Sequence, residues 1–261
     1  MAEDVVEPVV APEHCGIPAP TGEDPGDDRR HPRVGDADGG IRRLARVGER
    51  SKEVEHRADT EAGAWDNVPA RIALARAITQ AILERVPTTP GMHALDYGAG
   101  TGLITLGIQP HVGSIAAADS SPGMLAQIEG KIAASGLAGV RTLLLDLERE
   151  PPPGDQFGLI VSAMTMHHIE NVPSIVAALT GMLRPGGWLA VADLDPDDGE
   201  FHEDPTGVYH KGFERAGMAG LFVTCGLEDV TCETAHTLEK PAKGKGLREF
   251  TVFLVAGRKP G

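Results

Sequence analysis

Gly98, Gly100 and Gly102 stand at alternate positions in "LDYGAGTG", directly behind an apolar run that reaches Asp96. Glycine loses more conformational freedom on ordering than any other residue, so three in five positions disfavour a helix or strand there. A tight turn from a strand into a helix uses that freedom and lets a ligand approach bare backbone. The stretch therefore demands a strand before it, a helix after it, and a reason for something to come close.

The chain around it obeys the same alternation. "WDNVPARIALARAITQAILERVP" places Ile72, Ala75, Ile78, Ile82 and Val86 at helical steps, with Pro69 in the first turn and Pro87 as a stop. After the glycine turn, "LITLGIQPHV" reads as a helix, "SIAAAD" as a second strand ending at Asp119, and "PGMLAQIEGKIAAS" as a second helix. "VRTLLLDL" and "FGLIVSAM" read as strands three and four, followed by a helix in "VPSIVAALTGMLRPGG" and strand five in "GWLAVADLD". A long loop, a helix around "VYHKGFERAGM", and strands "LEDVTCETAHTL" and "REFTVFLVAGR" complete the pattern. Repeated βα units imply a parallel sheet with helices on both faces. The last connection, "EKPAKGKGL", is too short for a crossover and implies an antiparallel hairpin. The expectation is an α/β, Rossmann-like seven-stranded sheet, mostly parallel, with an antiparallel last strand.

Residues 1–62 read differently. "APEHCGIPAPTGEDPGDDRRHPRVGDADGG" is dense in proline, glycine and charge and has no core-forming pattern, so a disordered or weakly helical N-terminal tail is expected before a domain over residues 63–261.

Bulk properties exclude several functions. A net charge of -14 argues against a broad basic face for nucleic acid or an anionic membrane. No run of 18 apolar residues exists, and the acidic "MAEDVVEPVV" is no signal peptide. Three cysteines, Cys15, Cys225 and Cys232, form no C-x-x-C pair, which points to reduced thiols in a cytoplasmic protein.

A dinucleotide fingerprint would place a glycine where this chain has Leu103. The order D-x-G-x-G-x-G instead resembles the first motif of the Rossmann-like methyltransferases that use S-adenosyl-L-methionine. "AADSSPGML" resembles the second signature of that family, and Asp119 follows Gly102 by 17 residues, about where a carboxylate meets ribose hydroxyls. Asp146 in "LLLDLE" and the late "MLRPGGWLAVAD" also match, and the resemblance covers roughly residues 63–261. It implies a cofactor site built from Asp96, Gly98, Gly100, Gly102, Asp119, Ser120, Met124, Asp146, Leu147 and Ser162. In it Asp96 faces the ammonium group, Asp119 the ribose and Asp146 the adenine. Asp96 as a plain turn cap and Met124 and Leu147 as plain core residues are the alternative readings.

Methyl transfer from a sulfonium needs alignment and exclusion of water, and a base only where the nucleophile carries a proton. Strand four ends in "VSAMTMHHIEN", where His168 and His167 are the candidate bases, with plain packing as the alternative. No N/D-P-P-Y/F/W motif or Pro-Cys pair stands there, so a nucleobase acceptor is not expected. The loop "DPDDGEFHEDPTGVYHKGFERAG" reads as a cover over the acceptor, with His202, Tyr209 and His210 as candidate contacts. Its acids and histidines fit no metal spacing, so no metal is expected. Lys240, Lys243, Lys245 and Arg248 on the last connection form either a solvated turn or a cationic rim for an anionic substrate. The overall expectation is methyl transfer to a small-molecule acceptor by direct displacement, releasing S-adenosylhomocysteine. A non-catalytic cofactor-binding or scaffolding protein of the same fold is the alternative.

Overall fold

The computed structural model describes residues 62–242 and 246–261. The expected tail over residues 1–62 therefore lies outside the described residues except at Ala62. Seven strands form one sheet in the order β3-β2-β1-β4-β5-β7-β6. They are β1 (His93–Tyr97), β2 (Ser114–Asp119), β3 (Val140–Leu144), β4 (Phe157–Ala163), β5 (Leu183–Leu194), β6 (Glu228–Ala242) and β7 (Gly246–Arg258). β1 through β5 pair in parallel, and β7 runs antiparallel to both β5 and β6.

The described α-helices are α1 (Pro69–Arg85), α2 (Leu103–Ile108), α3 (Pro122–Ser135), α4 (Val172–Gly181) and α5 (Arg215–Thr224). α3 shows why the sequence delimits these elements well. Ser121 Oγ accepts from Met124 N at 3.1 Å, Pro122 occupies the first turn, and Gly136 ends the helix at φ 60°.

Strand alternation sorts the core. Leu95 and Tyr97 of β1 and Ala116 and Ala118 of β2 join Ile175 and Leu179 of α4 and Phe222 of α5. Ala94 and Ile115 join Ile78 and Ile82 of α1 and Ile104 and Ile108 of α2. Each large side chain sealed this way, such as Ile82, Leu95 or Phe222 with no more than 2 % exposure, contributes about 1.5–3 kcal/mol. Helices thus cover both faces, as expected.

Three boundaries differ from the sequence reading. β3 ends at Leu144, so Asp146 sits in a turn beyond it. β5 starts at Leu183, ahead of the expected Gly187, because Leu183 already pairs with Phe157, before a register shift that leaves the P-G-G residues between paired positions. The helix expected around residues 208–218 begins only at Arg215, since the preceding segment uses its backbone groups on the strand-four turn.

Two features position a site. The strand order reverses between β1 and β4, and the crevice at such a switch point is where parallel sheets bind ligands. β7 pairs β5 only up to Val252↔Leu194, whereas β6 and β7 stay paired onward to Ala242↔Gly246. The hairpin therefore overhangs the carboxyl end of β5 as an arm.

Candidate active site at the carboxyl ends of the strands

The glycine turn adopts the backbone its sequence demands. Gly98, Gly100 and Gly102 have φ of 74°, 55° and 84°, in the left-handed region that side chains with a Cβ resist. Gly98 is required for a second reason. A Cβ there would stand 2.3 Å from Thr165 Oγ1, so the strand-four turn packs on bare backbone. At Gly100 nothing lies within 4 Å of the same position, so open space borders the turn. Thr101 donates its hydroxyl to Asp66 at 2.6 Å, and Lys131 pairs with the same carboxylate at 2.5 Å, fastening the chain before α1 to the turn.

Three carboxylates gather here. Asp96, at the end of β1, is buried and accepts from Thr105 Oγ1 at 2.6 Å. Burial, opposed by the Thr105 hydrogen bond and reinforced by nearby Asp119, raises its pKa to about 7. Asp119 accepts from Gly100 N at 2.8 Å and Ser121 N at 2.9 Å, which ties the second strand to the glycine turn. Asp146 accepts from Glu148 N at 2.9 Å and pairs with Arg149 at 3.2 Å. Burial and then the Asp146, Glu148 and Asp119 carboxylates push the Tyr97 phenol upward, so these acids share one electrostatic field. Such a concentration of negative charge favours a cationic ligand.

Other expected cofactor residues divide. Ser120 is exposed beside Asp119, and Met124 and Leu147 are buried. Ser162 is fully buried and donates its hydroxyl to Tyr97 O at 2.8 Å, so it ties β4 to β1.

At the end of β4 the backbone bends through Met164, a non-glycine residue at φ 55°. Strain of this kind persists where surrounding contacts fix the geometry. The bend sets Thr165 on Gly98 and starts a short turn over Met166–His168. His167 is buried, with Nδ1 2.7 Å from Asp193 Oδ1. Asp193 also accepts from Leu194 N at 2.7 Å and His167 N at 3.2 Å. Burial would raise the Asp193 carboxyl, but the charge and hydrogen bond of His167 and the two amides outweigh it and hold the group below its usual range. An ionised carboxylate only accepts, so His167 donates from Nδ1 and its Nε2 is left for another partner. Of the two candidate histidines, the structure buttresses His167. His168 instead donates from Nδ1 to Gly207 O at 2.8 Å.

The loop after β5 docks on this turn. Tyr209 N and His210 N donate to His167 O at 2.9 and 3.2 Å, and His210 Nε2 donates to Ile169 O at 2.9 Å. Tyr209 and His210 thus hold the loop to the strand-four turn through their backbone and ring groups. His202 stacks 4.8 Å from the His167 ring and 5.8 Å from His168. Burial, and then the His167, His168 and Lys240 charges, push His202 down to about 3, so it is neutral at ordinary pH. Lys240 and Arg248 are engaged: Lys240 Nζ donates to Phe201 O at 2.6 Å, and Arg248 pairs with Glu200 at 2.7 Å and Asp198 at 3.1 Å. Lys243 and Lys245 lie outside the described residues.

Asp193 is the residue sequence reasoning missed. Its signal was present, an acid closing the apolar run "WLAVAD" as Asp96 and Asp119 close theirs, but its partner stands 26 positions earlier. Among the described residues no group of three or more His, Cys, Asp or Glu is arranged to hold a metal, and no helix is long and apolar enough to cross a membrane.

Comparison with known proteins agrees with this architecture. Residues 94–187 match the family model described as a methyltransferase domain. An uncharacterized methyltransferase of Schizosaccharomyces pombe is 29% identical over 53% of this chain and 54% of its own length, so the chain spans about half of that relative. The ubiquinone/menaquinone biosynthesis C-methyltransferase of Shewanella pealeana is 26% identical over 62% of this chain and 70% of its own. In fold, a SAM-dependent methyltransferase from Aquifex aeolicus superposes with a TM-score of 0.56 at 20% identity, covering 77% of this chain and 97% of that one.

Proposed function

We propose that this chain is a class I, Rossmann-like methyltransferase, with S-adenosyl-L-methionine as the methyl donor and a small molecule as the acceptor. The observation that carries the reading is the glycine turn in left-handed backbone with Asp96, Asp119 and Asp146 around it. These residues fit such a donor. The space over Gly100 admits a ligand against backbone, and three acids suit a molecule with ammonium and sulfonium charges. Asp119 would hold the ribose hydroxyls, Asp146 the adenine edge, and Asp96 the ammonium. Bound there, the donor supplies an already activated methyl group.

The work left to the protein is positioning and dryness. The strand-four turn and the loop over residues 195–214 provide the enclosing wall. Where the acceptor carries a proton, His167 is the group suited to take it: Asp193 fixes its tautomer and stabilises its charged form. The assignment of a small acceptor rests on the net charge of -14 and on the acids of the covering loop, which oppose nucleic acid. The same reading puts the reaction in the cytoplasm, where thiols such as Cys225 and Cys232 stay reduced.

The test is a calorimetric titration with S-adenosyl-L-methionine and with NAD, followed by incubation with methyl-labelled donor and a metabolite extract. Saturable binding of the donor and label in a low-mass product are expected. Tight NAD binding without donor binding overturns the reading.

A further inference from the structure

Buried polar atoms are nearly always hydrogen-bonded, so each exception calls for an explanation. His202 Nε2 is one: the atom is buried, on a ring that is itself only partly buried, and it has no hydrogen-bond partner. The ring is not loosely placed. Phe201 stacks edge-on at 4.9 Å, and the His167 ring lies tilted to the His202 ring at 4.8 Å. The preceding residues are fastened by the overhanging arm, through Lys240 on Phe201 O, Arg248 on Asp198 and Glu200, and Phe250 against Phe201 at 5.4 Å. An unsatisfied nitrogen held this firmly beside the strand-four turn is a group waiting for a partner, and in the neutral ring protonated at Nδ1 that partner is a donor.

The surroundings restrict what that donor belongs to. Around His202 stand three rings, His167 tilted to it and Phe201 and His168 near edge-on, which make an aromatic-lined surrounding. The loop that carries it also brings Asp195, Asp197, Asp198, Glu200, Glu203 and Asp204. Of the neighbouring cations, Arg215 is bidentate on Asp195, and Arg248 and Lys240 are occupied as above. An anion entering here meets carboxylates whose nearest positive groups are already paired.

We infer that His202 is the acceptor-orienting residue of the site, positioned by the β6–β7 arm, and that it receives a hydrogen bond from the hydroxyl or N–H of an uncharged planar molecule. The inference rests on the methyltransferase reading above. Lys240 and Arg248 act inward, as a latch on the loop, a role that neither the solvated turn nor the anion-steering rim anticipated.

The experiment uses the full chain with histidine labelled by nitrogen-15. S-adenosylhomocysteine is bound first, and its saturation is measured separately. The complex is then titrated with phenol, toluene and benzoate, which share a ring and differ in donor and charge. We expect phenol to move the His202 ring-nitrogen resonance saturably, with toluene and benzoate binding at least about tenfold more weakly, the cost of one unmade hydrogen bond. His202→Phe keeps the ring packing and removes the nitrogen. It is expected to weaken phenol binding about tenfold with S-adenosylhomocysteine affinity unchanged, and His202→Gln to recover part of it. Arg248→Gln is expected to weaken phenol binding without touching the cofactor. An unmoved His202 resonance, equal phenol binding by His202→Phe, or benzoate binding as tight as phenol overturns the inference. Failure of S-adenosylhomocysteine itself to bind overturns the methyltransferase reading instead.

Discussion

His167 and Asp193 form a buried pair, Nδ1 to Oδ1 at 2.7 Å, that joins the turn after β4 to the end of β5. Both side chains are at most 2 % exposed, so solvent screens the pair little. Removing one member leaves the other without its partner in the interior. Asp193→Ala should therefore lower stability by about 3–5 kcal/mol. Asp193→Asn, which still accepts from Nδ1, should lose less. Denaturant melts check both. The folded carboxyl lies below its ordinary value, so its contribution is present above about pH 3.9 and is lost as pH falls through the folded value. Acid unfolding of the Asn variant should accordingly be less steep.

Asp96 carries the opposite sign. Its folded pKa is raised from 3.8 to about 7, so the native state binds more protons than the unfolded state between those values. Stability from this group is then full at low pH and declines as pH rises toward 7, by on the order of a few kcal/mol. Asp96→Asn should remove that decline, as thermal melts from pH 5 to 8 would show.

A cationic ligand beside Asp96 should draw off its proton. Binding of S-adenosyl-L-methionine near pH 6.5 is expected to release a fraction of one proton and to tighten as pH rises to 8. Calorimetry in buffers of different ionisation heat reads the proton count. Asp96→Asn should show no release.

Asp119→Ala should weaken cofactor binding about tenfold to a hundredfold, for one lost charge-assisted hydrogen bond. The carboxylate also accepts from Gly100 N and Ser121 N, so stability should fall too, by about 1–3 kcal/mol. Calorimetric affinity and melting temperature separate the two effects.

Gly98 and Gly100 should tolerate alanine unequally. Both have positive φ, which costs about 1–2 kcal/mol for an L side chain. Only at Gly98 would the added Cβ meet Thr165, at 2.3 Å, which adds an overpacking cost of about 1–3 kcal/mol. Gly98→Ala should melt well below Gly100→Ala.

Most of the sheet and its glycine turn were legible in the sequence. A strand buried on both faces, such as "SIAAAD", must be a continuous apolar run, and glycines in its neighbour's turn answer a local steric demand. Ser121, Pro122 and Gly136 delimit α3 by local chemistry, so its ends were readable to the residue. The helix before Arg215 was misplaced for the converse reason. "VYHKGFERAGM" has helical composition, but the backbone of Tyr209 and His210 finds its acceptor in His167, some 40 positions away.

The sequence by itself determined where acids and glycines close each strand, because turn and strand preferences act between near neighbours. Only the tertiary structure decided what those residues face. It made Ser162 a tie to Tyr97, chose Asp193 as the partner of His167, and turned Lys240 and Arg248 onto the covering loop. Each outcome depends on strands far apart in sequence meeting in one sheet. Burial there sets both the pairing and the charge state, and neither can be read from spacing along the chain.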